Sequence, residues 1–378
     1  MRRLFPTLLL LWTLAIPAHA QSLDAVETRH AIVKNFRLES GKILPELRIE
    51  YETYGKLAAD GRNAILMTHG YTSSHHAAGV YAPGKAPAGV SETSRGSWDK
   101  MTGPGRPIDT DRFFVVSSNV LGSSYGTTAP RSIDPATGKP YGPDFPGFTL
   151  KDIVRAQKKL LEQLHVKHLA AVIGGSYGGY QAFQWITQYP KMMDGTVITV
   201  SAPKSTATQA SVNELIATLA KDPHWNGGRY YDNGGIFQAM LDLRVATLKR
   251  YGIEASLMAR FPDQAARDAE IIRVATPWAK AFDGNSLVAM RRATVGFDTE
   301  PSFGKIRAKV LYALSRTDRL FPPMIAPPVM AKLKAAGVDA KFVEIDSENG
   351  HSGYSADAEK WMPELKAFMD RIAPAKGR

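Results

Sequence analysis

A short glycine-rich segment constrains this chain of 378 residues more than any other feature. Residues 169–173 are apolar and run directly into Gly174-Gly175-Ser176-Tyr177-Gly178, and a helix-forming stretch follows. A strand, a G-x-S-x-G turn and a helix in this order form a nucleophile elbow, which holds the serine in strained backbone geometry above the edge of a sheet. The segment makes Ser176 a candidate nucleophile. The alternative is a glycine-rich turn that only reverses the chain.

Segments rich in β-branched and apolar residues recur along the chain between turn signals, and we predict a strand at each. These eight segments are residues 32–36, 47–51, 64–68, 113–117, 169–173, 196–200, 309–314 and 340–345. The later strands alternate with helical segments, such as the one that begins near Thr149, and this alternation predicts a mostly parallel sheet flanked by helices. With 44% hydrophobic residues, the chain can bury a large core of this kind.

The chain between the sixth and seventh predicted strands has a different pattern. Residues 204–300 are largely helical and contain no convincing strand. Because an α/β-hydrolase fold often carries a helical cap at this point, we predict that fold, with core parts 21–203 and 301–378 and a cap or lid at 204–300. Five aromatic residues are candidates for lining the cap, although packing within the cap explains each of them as well: Trp225, Tyr230, Tyr231, Trp278 and Phe282.

The first residues of the chain are typical of a signal peptide. Arg2 and Arg3 precede a mostly apolar stretch, residues 4–16, and Ala18 and Ala20 form an A-x-A cleavage site. The apolar stretch is too short to span a bilayer. We therefore predict a signal peptide, residues 1–20, cleaved after Ala20, and a periplasmic or secreted protein without a membrane anchor. A buried N-terminal helix is the alternative.

Composition excludes several functions. The chain contains no cysteine, which excludes disulfides, a thiol nucleophile and thiolate metal sites. The formal net charge is +11, but basic residues are scattered among acidic ones, so the charge favours solubility rather than nucleic-acid binding. His69, His75 and His76 share one loop without a further ligand at a recognised spacing, and we predict neither a metal nor a cofactor. We expect a small-molecule ester as the partner, and the sequence leaves a homodimer open.

A nucleophilic serine needs a base, and the base needs an acid that orients it. In this fold the chain order is Ser, then Asp or Glu, then His, each in a loop beyond a strand. Asp318 lies just past the seventh predicted strand and His351 lies past the eighth. We therefore predict Ser176, Asp318 and His351 as the catalytic residues. Asp346, in the loop of His351, and His69, which precedes the serine, are the alternatives.

Acyl transfer also needs an oxyanion hole, which consists of two backbone N–H groups directed at the developing negative charge. One should belong to Tyr177, directly after the nucleophile, and the other to the loop after the third strand. In that loop we choose the amide of Tyr71 first and the amide of Thr72 second.

Several short segments, in order along the chain, resemble the homoserine O-acetyltransferase family of α/β-hydrolases. They are Tyr51-Glu52-Thr53-Tyr54-Gly55, Gly103-Pro104-Gly105, Asp109-Thr110-Asp111-Arg112-Phe113-Phe114-Val115, Gly122-Ser123-Ser124-Tyr125-Gly126-Thr127-Thr128 and Asp144-Phe145-Pro146, followed by the elbow, Asp222-Pro223 with Trp225, Phe282-Asp283 with Asn285-Ser286, and Asp318 with Leu320-Phe321-Pro322-Pro323. The resemblance covers nearly the whole mature chain. It implies that Ser176 accepts the acyl group, that His351 is base and acid, and that Asp318 orients His351.

Departures from the family shape the predicted function. The resemblance implies a cap arginine for the homoserine carboxylate shortly before Asp222-Pro223, but residues 213–219 contain none, and Ser352 and Tyr177 stand where the family usually has Asp and Met. The acyl-CoA donor that the family implies is also cytoplasmic, unlike an exported chain. We therefore predict an exported serine esterase that forms an acyl-Ser176 intermediate with water as the acceptor. An O-acyltransferase is the alternative, and a catalytically inactive binding protein is the third reading.

Overall fold

An eight-stranded sheet lies at the centre of the protein, whose computed structural model describes residues 23–87 and 90–373. The strands, including a separate two-stranded hairpin, are β1 (Arg29–Arg37), β2 (Ile43–Tyr54), β3 (Ala64–Thr68), β4 (Phe114–Ser118), β5 (Ile133–Asp134), β6 (Lys139–Pro140), β7 (Leu169–Gly175), β8 (Met193–Thr199), β9 (Lys309–Ser315) and β10 (Ala340–Ile345). The order in the large sheet is β1-β2-β4-β3-β7-β8-β9-β10. Only the pairs of β2 with β1 and β4 are antiparallel there.

The helices follow the strands along the chain. In the described part they are α1 (Leu150–Gln163), α2 (Tyr177–Gln188), α3 (Gln209–Leu219), α4 (Phe237–Arg250), α5 (Ile253–Leu257), α6 (Gln264–Ala281), α7 (Gly284–Arg292), α8 (Ala326–Ala335), α9 (Gly353–Ala356) and α10 (Met362–Ile372). The predicted fold class, an α/β-hydrolase with a mostly parallel eight-stranded sheet flanked by helices, is confirmed. All eight predicted strands are present. β2 begins earlier than predicted, at Ile43, because its antiparallel pairing extends to Arg37 of β1.

The core surrounds the central strand that leads to the elbow. Every residue of β7 is buried, as expected for a strand covered on both faces. On one face α1 packs against α2, where the fully buried Trp185 donates a hydrogen bond of 2.7 Å from its Nε1 to Oε1 of Gln157. On the other face Phe368 and Ile372 of α10 pack closely over Gly195 of β8. This packing fixes the carboxyl ends of the strands, where the candidate site lies.

Helices α3 to α7 all lie between β8 and β9 in the chain. The two ends of this helical segment meet, because the N–H of Ser205 donates to the carbonyl of Phe297 at 2.9 Å and the N–H of Thr299 donates to the carbonyl of Pro203 at 3.0 Å. The predicted signal peptide, residues 1–20, lies outside the described residues. Within the described ranges, no helix combines the length and the apolar character needed to cross a membrane.

Candidate active site

Ser176 occupies the junction between β7 and α2. Its backbone angles, φ 57° and ψ −122°, are unusual for a residue with a side chain, and such conformations cost of order 1–3 kcal/mol. The turn is tight because the end of β3 approaches it. A Cβ atom on Gly178 would lie 2.2 Å from the carbonyl oxygen of Thr68, and one on Gly174 would lie 2.2 Å from its Oγ1. The packing that raises Ser176 above the sheet therefore requires glycine on both sides of it.

Replacement of Gly178 by alanine should destabilise the protein by about 3 kcal/mol, because the added methyl group forces the backbone of the elbow away from β3. The free energy of unfolding, measured by urea denaturation, tests this. Gly304→Ala is the matched control, since nothing lies within 4 Å of a Cβ atom at that position. Equal free energies of unfolding for the two variants would contradict the packing argument.

Asp318 and His351 form a buried pair beside the elbow. Nδ1 of His351 lies 2.8 Å from Oδ2 of Asp318, while Oδ1 of Asp318 accepts hydrogen bonds from the N–H groups of Leu320 at 2.8 Å and Phe321 at 3.2 Å. The carboxylate is therefore fixed in orientation by the backbone of its own loop. Because Oδ2 is an acceptor, the proton of neutral His351 lies on Nδ1, which leaves Nε2 as the nitrogen that can accept a proton.

The loops that carry this pair are joined to each other. Oγ1 of Thr317 donates to the carbonyl of Ser347 at 2.8 Å and accepts from the N–H of Gly350 at 3.0 Å. The imidazole of His351 lies between two aromatic rings, with ring centroids 4.8 Å from Tyr251 and 5.7 Å from Phe321. These contacts restrict the ring orientation that a general base must keep.

Ser176 lies beyond the end of β7, and His351 lies beyond the end of β10. Among the described residues, Ser176 Oγ makes no hydrogen bond with His351. Hydrogen bonds between catalytic groups often tighten only when the reacting molecule is bound. The structure thus brings the predicted acid and base into contact and places the serine in its predicted elbow.

The two alternative residues have other roles in the structure. Asp346 is exposed and pairs with Arg316, whose Nε lies 2.8 Å from its carboxylate. His69 is buried, its Nε2 accepts from the N–H of Val120 at 2.9 Å, and its Nδ1 lies 2.8 Å from the carbonyl of Gly70. Desolvation lowers the pKa of His69 to about 4. Neither residue is arranged to serve as the acid or base for Ser176.

The predicted oxyanion donors lie next to the serine. A Cβ atom on Gly70, which precedes Tyr71, would lie 3.9 Å from Cβ of Ser176. Tyr177 is the first residue of α2, and the N–H groups of the first helical turn have no partner within the helix. Tyr71, Thr72 and Tyr177 line the same cavity as Ser176. The amides of Tyr71 and Tyr177 therefore stay the predicted donors.

The helical segment between β8 and β9 contacts the two residues whose amides are the predicted oxyanion donors. Tyr71 donates its hydroxyl to the carbonyl of Leu287 at 2.5 Å, and Tyr177 donates its hydroxyl to the carbonyl of Met290 at 3.3 Å, both on α7. Nε1 of Trp278 on α6 donates to the carbonyl of Thr72 at 2.9 Å. Burial raises the pKa of Tyr71 to about 12, so its hydroxyl keeps the proton it donates.

A cavity of about 720 Å³ opens at Ser176 between the sheet and these helices. Of the five predicted aromatic residues, Trp225 and Tyr230 stack on each other, Trp278 and Phe282 stack on each other, and Tyr231 packs on Tyr230. Their main role is therefore packing within the helical segment. Trp278 also donates a hydrogen bond to the carbonyl of Thr72.

Sequence reasoning missed Arg244, a half-buried arginine of α4. Its Nη1 donates to Oγ1 of Thr72 at 2.9 Å, and its Cζ lies 4.8 Å from the ring centroid of Trp278. Its Nε is buried without a partner, and within residues 23–87 and 90–373 no carboxylate lies within 4 Å of the guanidinium. Burial lowers its pKa. The sequence contained a pattern that could have indicated this residue, because Arg244 interrupts the buried i, i+4 row of Met240 and Leu248.

His76, in the same loop as His69, belongs to a buried hydrogen-bond network. Nδ1 of His76 lies 3.0 Å from the carboxylate of the fully buried Glu52, which also accepts from the hydroxyl of Tyr54 at 2.6 Å. Burial acts to lower the pKa of His76, but the Glu52 carboxylate raises it, and the net shift is upward. Within the described part of the chain, no group of three or more His, Asp or Glu side chains is placed to hold a metal ion.

The fold and the elbow together define an α/β-hydrolase, and residues 63–357 match the family described as alpha/beta hydrolase fold. The homoserine O-acetyltransferase of Pelobacter propionicus is 34% identical, covering 92% of this chain and 96% of its own. The homoserine O-succinyltransferase of Hahella chejuensis is 35% identical, covering 89% and 92%. The chain therefore belongs to the homoserine O-acetyltransferase-like family of α/β-hydrolases, and it is an enzyme that acts on ester or acyl groups.

Solved structures agree with this assignment. The homoserine O-acetyltransferase of Bacillus anthracis superimposes with a TM-score of 0.82 at 26% identity, covering 92% of this chain and 98% of its own. Esterase E22 superimposes equally well, with a TM-score of 0.82 at 28% identity, covering 91% and 100%.

The predicted function, an exported serine esterase, is wrong. The relatives that match at 34% and 35% identity over most of the chain are named homoserine O-acetyltransferases and O-succinyltransferases, which favours the alternative reading. The prediction of a periplasmic or secreted protein is also wrong, because it was made together with the exported hydrolase, and the same relatives are named homoserine acyltransferases instead.

Proposed function

We propose that this enzyme transfers an acyl group from an acyl thioester to the hydroxyl group of homoserine. The observation that carries the proposal is the guanidinium of Arg244, which has no carboxylate partner among the described residues and lines a neighbouring cavity of about 420 Å³. It donates to Thr72, a residue that lines both that cavity and the cavity of Ser176. A cation taken out of water without an anion is unfavourable, so the site is complementary to a carboxylate bound there. Homoserine carries a carboxylate, and the names of the curated relatives state homoserine as their acceptor.

In the first half-reaction Ser176 is the nucleophile. Its Oγ attacks the thioester carbonyl carbon and forms a C–O bond, while Nε2 of His351 takes the hydroxyl proton. The amides of Tyr71 and Tyr177 stabilise the negative charge on the carbonyl oxygen. The C–S bond then breaks, and His351 returns the proton to the leaving thiolate. The carboxylate of Asp318 stabilises the imidazolium that exists between these two proton transfers.

In the second half-reaction the homoserine hydroxyl attacks the acyl-Ser176 ester. His351 again accepts the proton and passes it to Ser176 Oγ as the ester bond to the enzyme breaks. Arg244 would hold the homoserine carboxylate so that its hydroxyl approaches the acyl carbon, which converts a bimolecular step into an oriented one. Water is a competing acceptor without a carboxylate, so this contact favours transfer over hydrolysis.

The helical segment of residues 204–300 is proposed to be the cap of this site. Its helices supply Arg244, Trp278 and the carbonyl groups that bond Tyr71 and Tyr177. The cap therefore has two functions in the proposal, since it closes the cavity over Ser176 and supports the loop that carries the oxyanion donors.

Product analysis tests the proposal directly. The purified full chain is incubated with acetyl-CoA or succinyl-CoA, with and without homoserine, and O-acylhomoserine, free acid and free thiol are quantified by mass spectrometry and a thiol reagent. We expect saturable O-acylhomoserine formation that exceeds hydrolysis. Thiol release that is unchanged by homoserine and yields only free acid would overturn the proposal.

Arg244→Gln should reduce kcat/KM for homoserine roughly 10- to 100-fold, because a charge-assisted hydrogen bond contributes about 1.5–3 kcal/mol and about 1.4 kcal/mol corresponds to a factor of ten. Acyl-enzyme formation without homoserine should change much less. Steady-state kinetics and the thiol burst measure the two quantities. Arg273→Gln is the matched control, since Arg273 is an exposed cap arginine paired with Glu270. Equal kcat/KM values for homoserine in both variants would show that Arg244 does not bind the acceptor.

A further inference from the structure

The peptide bond between Gly70 and Tyr71 contains the N–H group that the proposed mechanism uses as one oxyanion donor. Tyr71 lines the cavity of Ser176, and a Cβ atom on Gly70 would lie 3.9 Å from Cβ of Ser176. Within residues 23–87 and 90–373, the N–H of Tyr71 donates to no other group of the protein. This N–H is therefore free to bind an oxygen atom of a ligand, and its direction decides how well it does so.

The direction of this N–H is set by the carbonyl group of the same peptide. A peptide group is planar and trans, so its C=O and N–H bonds point in opposite directions. The carbonyl oxygen of Gly70 lies 2.8 Å from Nδ1 of His69 and accepts from the N–H of Ser73 at 3.2 Å. These two contacts hold the carbonyl on one side of the peptide and the Tyr71 N–H on the other. A carbonyl that accepts hydrogen bonds also polarises its peptide, which strengthens the N–H as a donor.

The contacts of His69 determine which of its ring nitrogens carries the proton. Its Nε2 lies 2.9 Å from the backbone nitrogen of Val120, and because that N–H is a donor, Nε2 is the unprotonated nitrogen. The proton of the neutral ring is then on Nδ1, which donates it to the carbonyl of Gly70. Burial lowers the pKa of His69 to about 4, so the ring remains neutral near pH 7. The imidazole is thus a hydrogen-bond donor of fixed direction.

A chain of buried side chains holds the backbone of His69. Nε1 of Trp185 donates to Oε1 of Gln157, and Nε2 of Gln157 donates to Oε1 of Gln181, both at 2.7 Å. Nε2 of Gln181 then donates to the carbonyl of His69 at 3.1 Å and to the carbonyl of Tyr177 at 3.3 Å. Because an indole N–H can only donate, it sets the direction of every bond in this chain. The chain therefore connects His69 with the residue that carries the second oxyanion donor.

We infer that His69 is a positioning residue of the oxyanion hole, which holds the peptide of Gly70 and Tyr71 so that the Tyr71 N–H faces the carbonyl oxygen of the acyl group. The inference rests on the proposed acyl transfer and adds a residue to its site. His69 takes no part in proton transfer, because both of its ring nitrogens are engaged by the protein backbone. Its effect is on the transition state, in which the oxygen carries negative charge, rather than on the binding of the neutral ground state.

Two substitutions separate the contributions of the two ring nitrogens. Asparagine places its amide near the position of Nδ1 and can still donate to the carbonyl of Gly70, whereas glutamine places its amide near the position of Nε2 and replaces only the contact with Val120. We expect His69→Gln to lower the rate of acyl-Ser176 formation roughly 10- to 100-fold, less than the loss of about 10²–10³-fold that follows removal of a whole oxyanion donor. His69→Asn should recover most of this rate. His30→Gln, at an exposed histidine of β1, is the matched control and should leave the rate unchanged.

The rate is measured without homoserine, from the burst of p-nitrophenol released by p-nitrophenyl acetate and from the intact mass of the acyl-enzyme. An alkyl trifluoromethyl ketone, which forms a tetrahedral adduct with a nucleophilic serine, should bind to His69→Gln more weakly by a similar factor. Free CoA has no acyl carbonyl, so its dissociation constant should stay within about 3-fold. Urea-induced unfolding of the same samples shows whether each variant is folded.

The outcomes distinguish this inference from the proposed function. Equal acylation rates for the original chain and His69→Gln would overturn the inference even if O-acylhomoserine forms, and so would an original chain that p-nitrophenyl acetate does not acylate. Equal losses in His69→Asn and His69→Gln, or a loss of CoA binding that matches the loss of rate, would leave His69 with a purely structural role and also overturn it. A selective loss in His69→Gln, without acylation of homoserine by the original chain, would support the inference and reject the proposed acceptor.

Discussion

Ser176→Ala is expected to abolish acyl transfer, with a loss of at least about 10⁴-fold in kcat, because it removes the atom that forms the acyl-enzyme bond and leaves only the oxyanion and binding contributions. The substitution replaces a hydroxyl by a hydrogen atom at a position whose unusual φ is already imposed by the elbow, so the fold should be retained. The rate of thiol release from acyl-CoA in the presence of homoserine measures the loss.

A covalent probe identifies the nucleophile independently of the substrate. A fluorophosphonate should label the original chain at one residue, mapped to Ser176 by peptide mass spectrometry, and should not label Ser176→Ala. Ser205→Ala is the matched control, because Ser205 lines the same cavity and its loss should change neither labelling nor transfer. If Ser176→Ala were still labelled in this cavity or still transferred acyl groups, the nucleophile would have to be another residue.

Much of the fold could be predicted because it depends on local pattern. The central strands of the large sheet are apolar segments between turn residues, and the alternation with helices from residue 149 onward determines the parallel order around β7. The limits of strands were less predictable, since β2 extends to Ile43 only through its pairing with β1. The elbow was predictable for a physical reason, because the approach of β3 permits only glycine beside Ser176.

The acid and the base could be located from chain order, because parallel strands bring their carboxyl ends to one edge of the sheet. The choice between Asp318 and Asp346 needed the structure, which pairs Asp346 with Arg316 and directs Asp318 to His351. The choice between His351 and His69 also needed it, since one backbone partner of His69, the N–H of Val120, is distant in sequence.

The group proposed to bind the acceptor could not be found in the same way. Arg244 lies in the helical segment, 68 residues after Ser176, and no short motif links it to the elbow. Its significance comes from its surroundings, namely its burial, its hydrogen bond to Thr72 and the lack of a carboxylate partner among the described residues. The search for an arginine in residues 213–219 tested a position in the sequence, whereas Arg244 is distinguished by its burial and by its hydrogen bond to Thr72.

Asp318→Asn is expected to lower kcat about 10⁴-fold while the protein remains folded, and the reason lies in the orientation of the side chain. The N–H groups of Leu320 and Phe321 both donate to Oδ1 of Asp318. In the variant these two donors would select the amide oxygen and turn the amide NH₂ towards Nδ1 of His351. Nδ1 must then accept a hydrogen bond, so the imidazole proton moves to Nε2, which can no longer take the proton of Ser176.

The measurement combines kcat for acyl transfer with the urea-induced unfolding of the same samples, so that loss of activity is separated from loss of fold. Asp346→Asn is the matched control, because Asp346 lies in the loop of His351, carries the same charge and pairs only with Arg316 at the surface. It should retain nearly full activity. The fluorophosphonate should still reach Ser176 in Asp318→Asn but react far more slowly, because the hydroxyl lacks its base. A folded Asp318→Asn variant with unchanged kcat would show that the hydrogen bond between Asp318 and His351 does not set the tautomer used in catalysis.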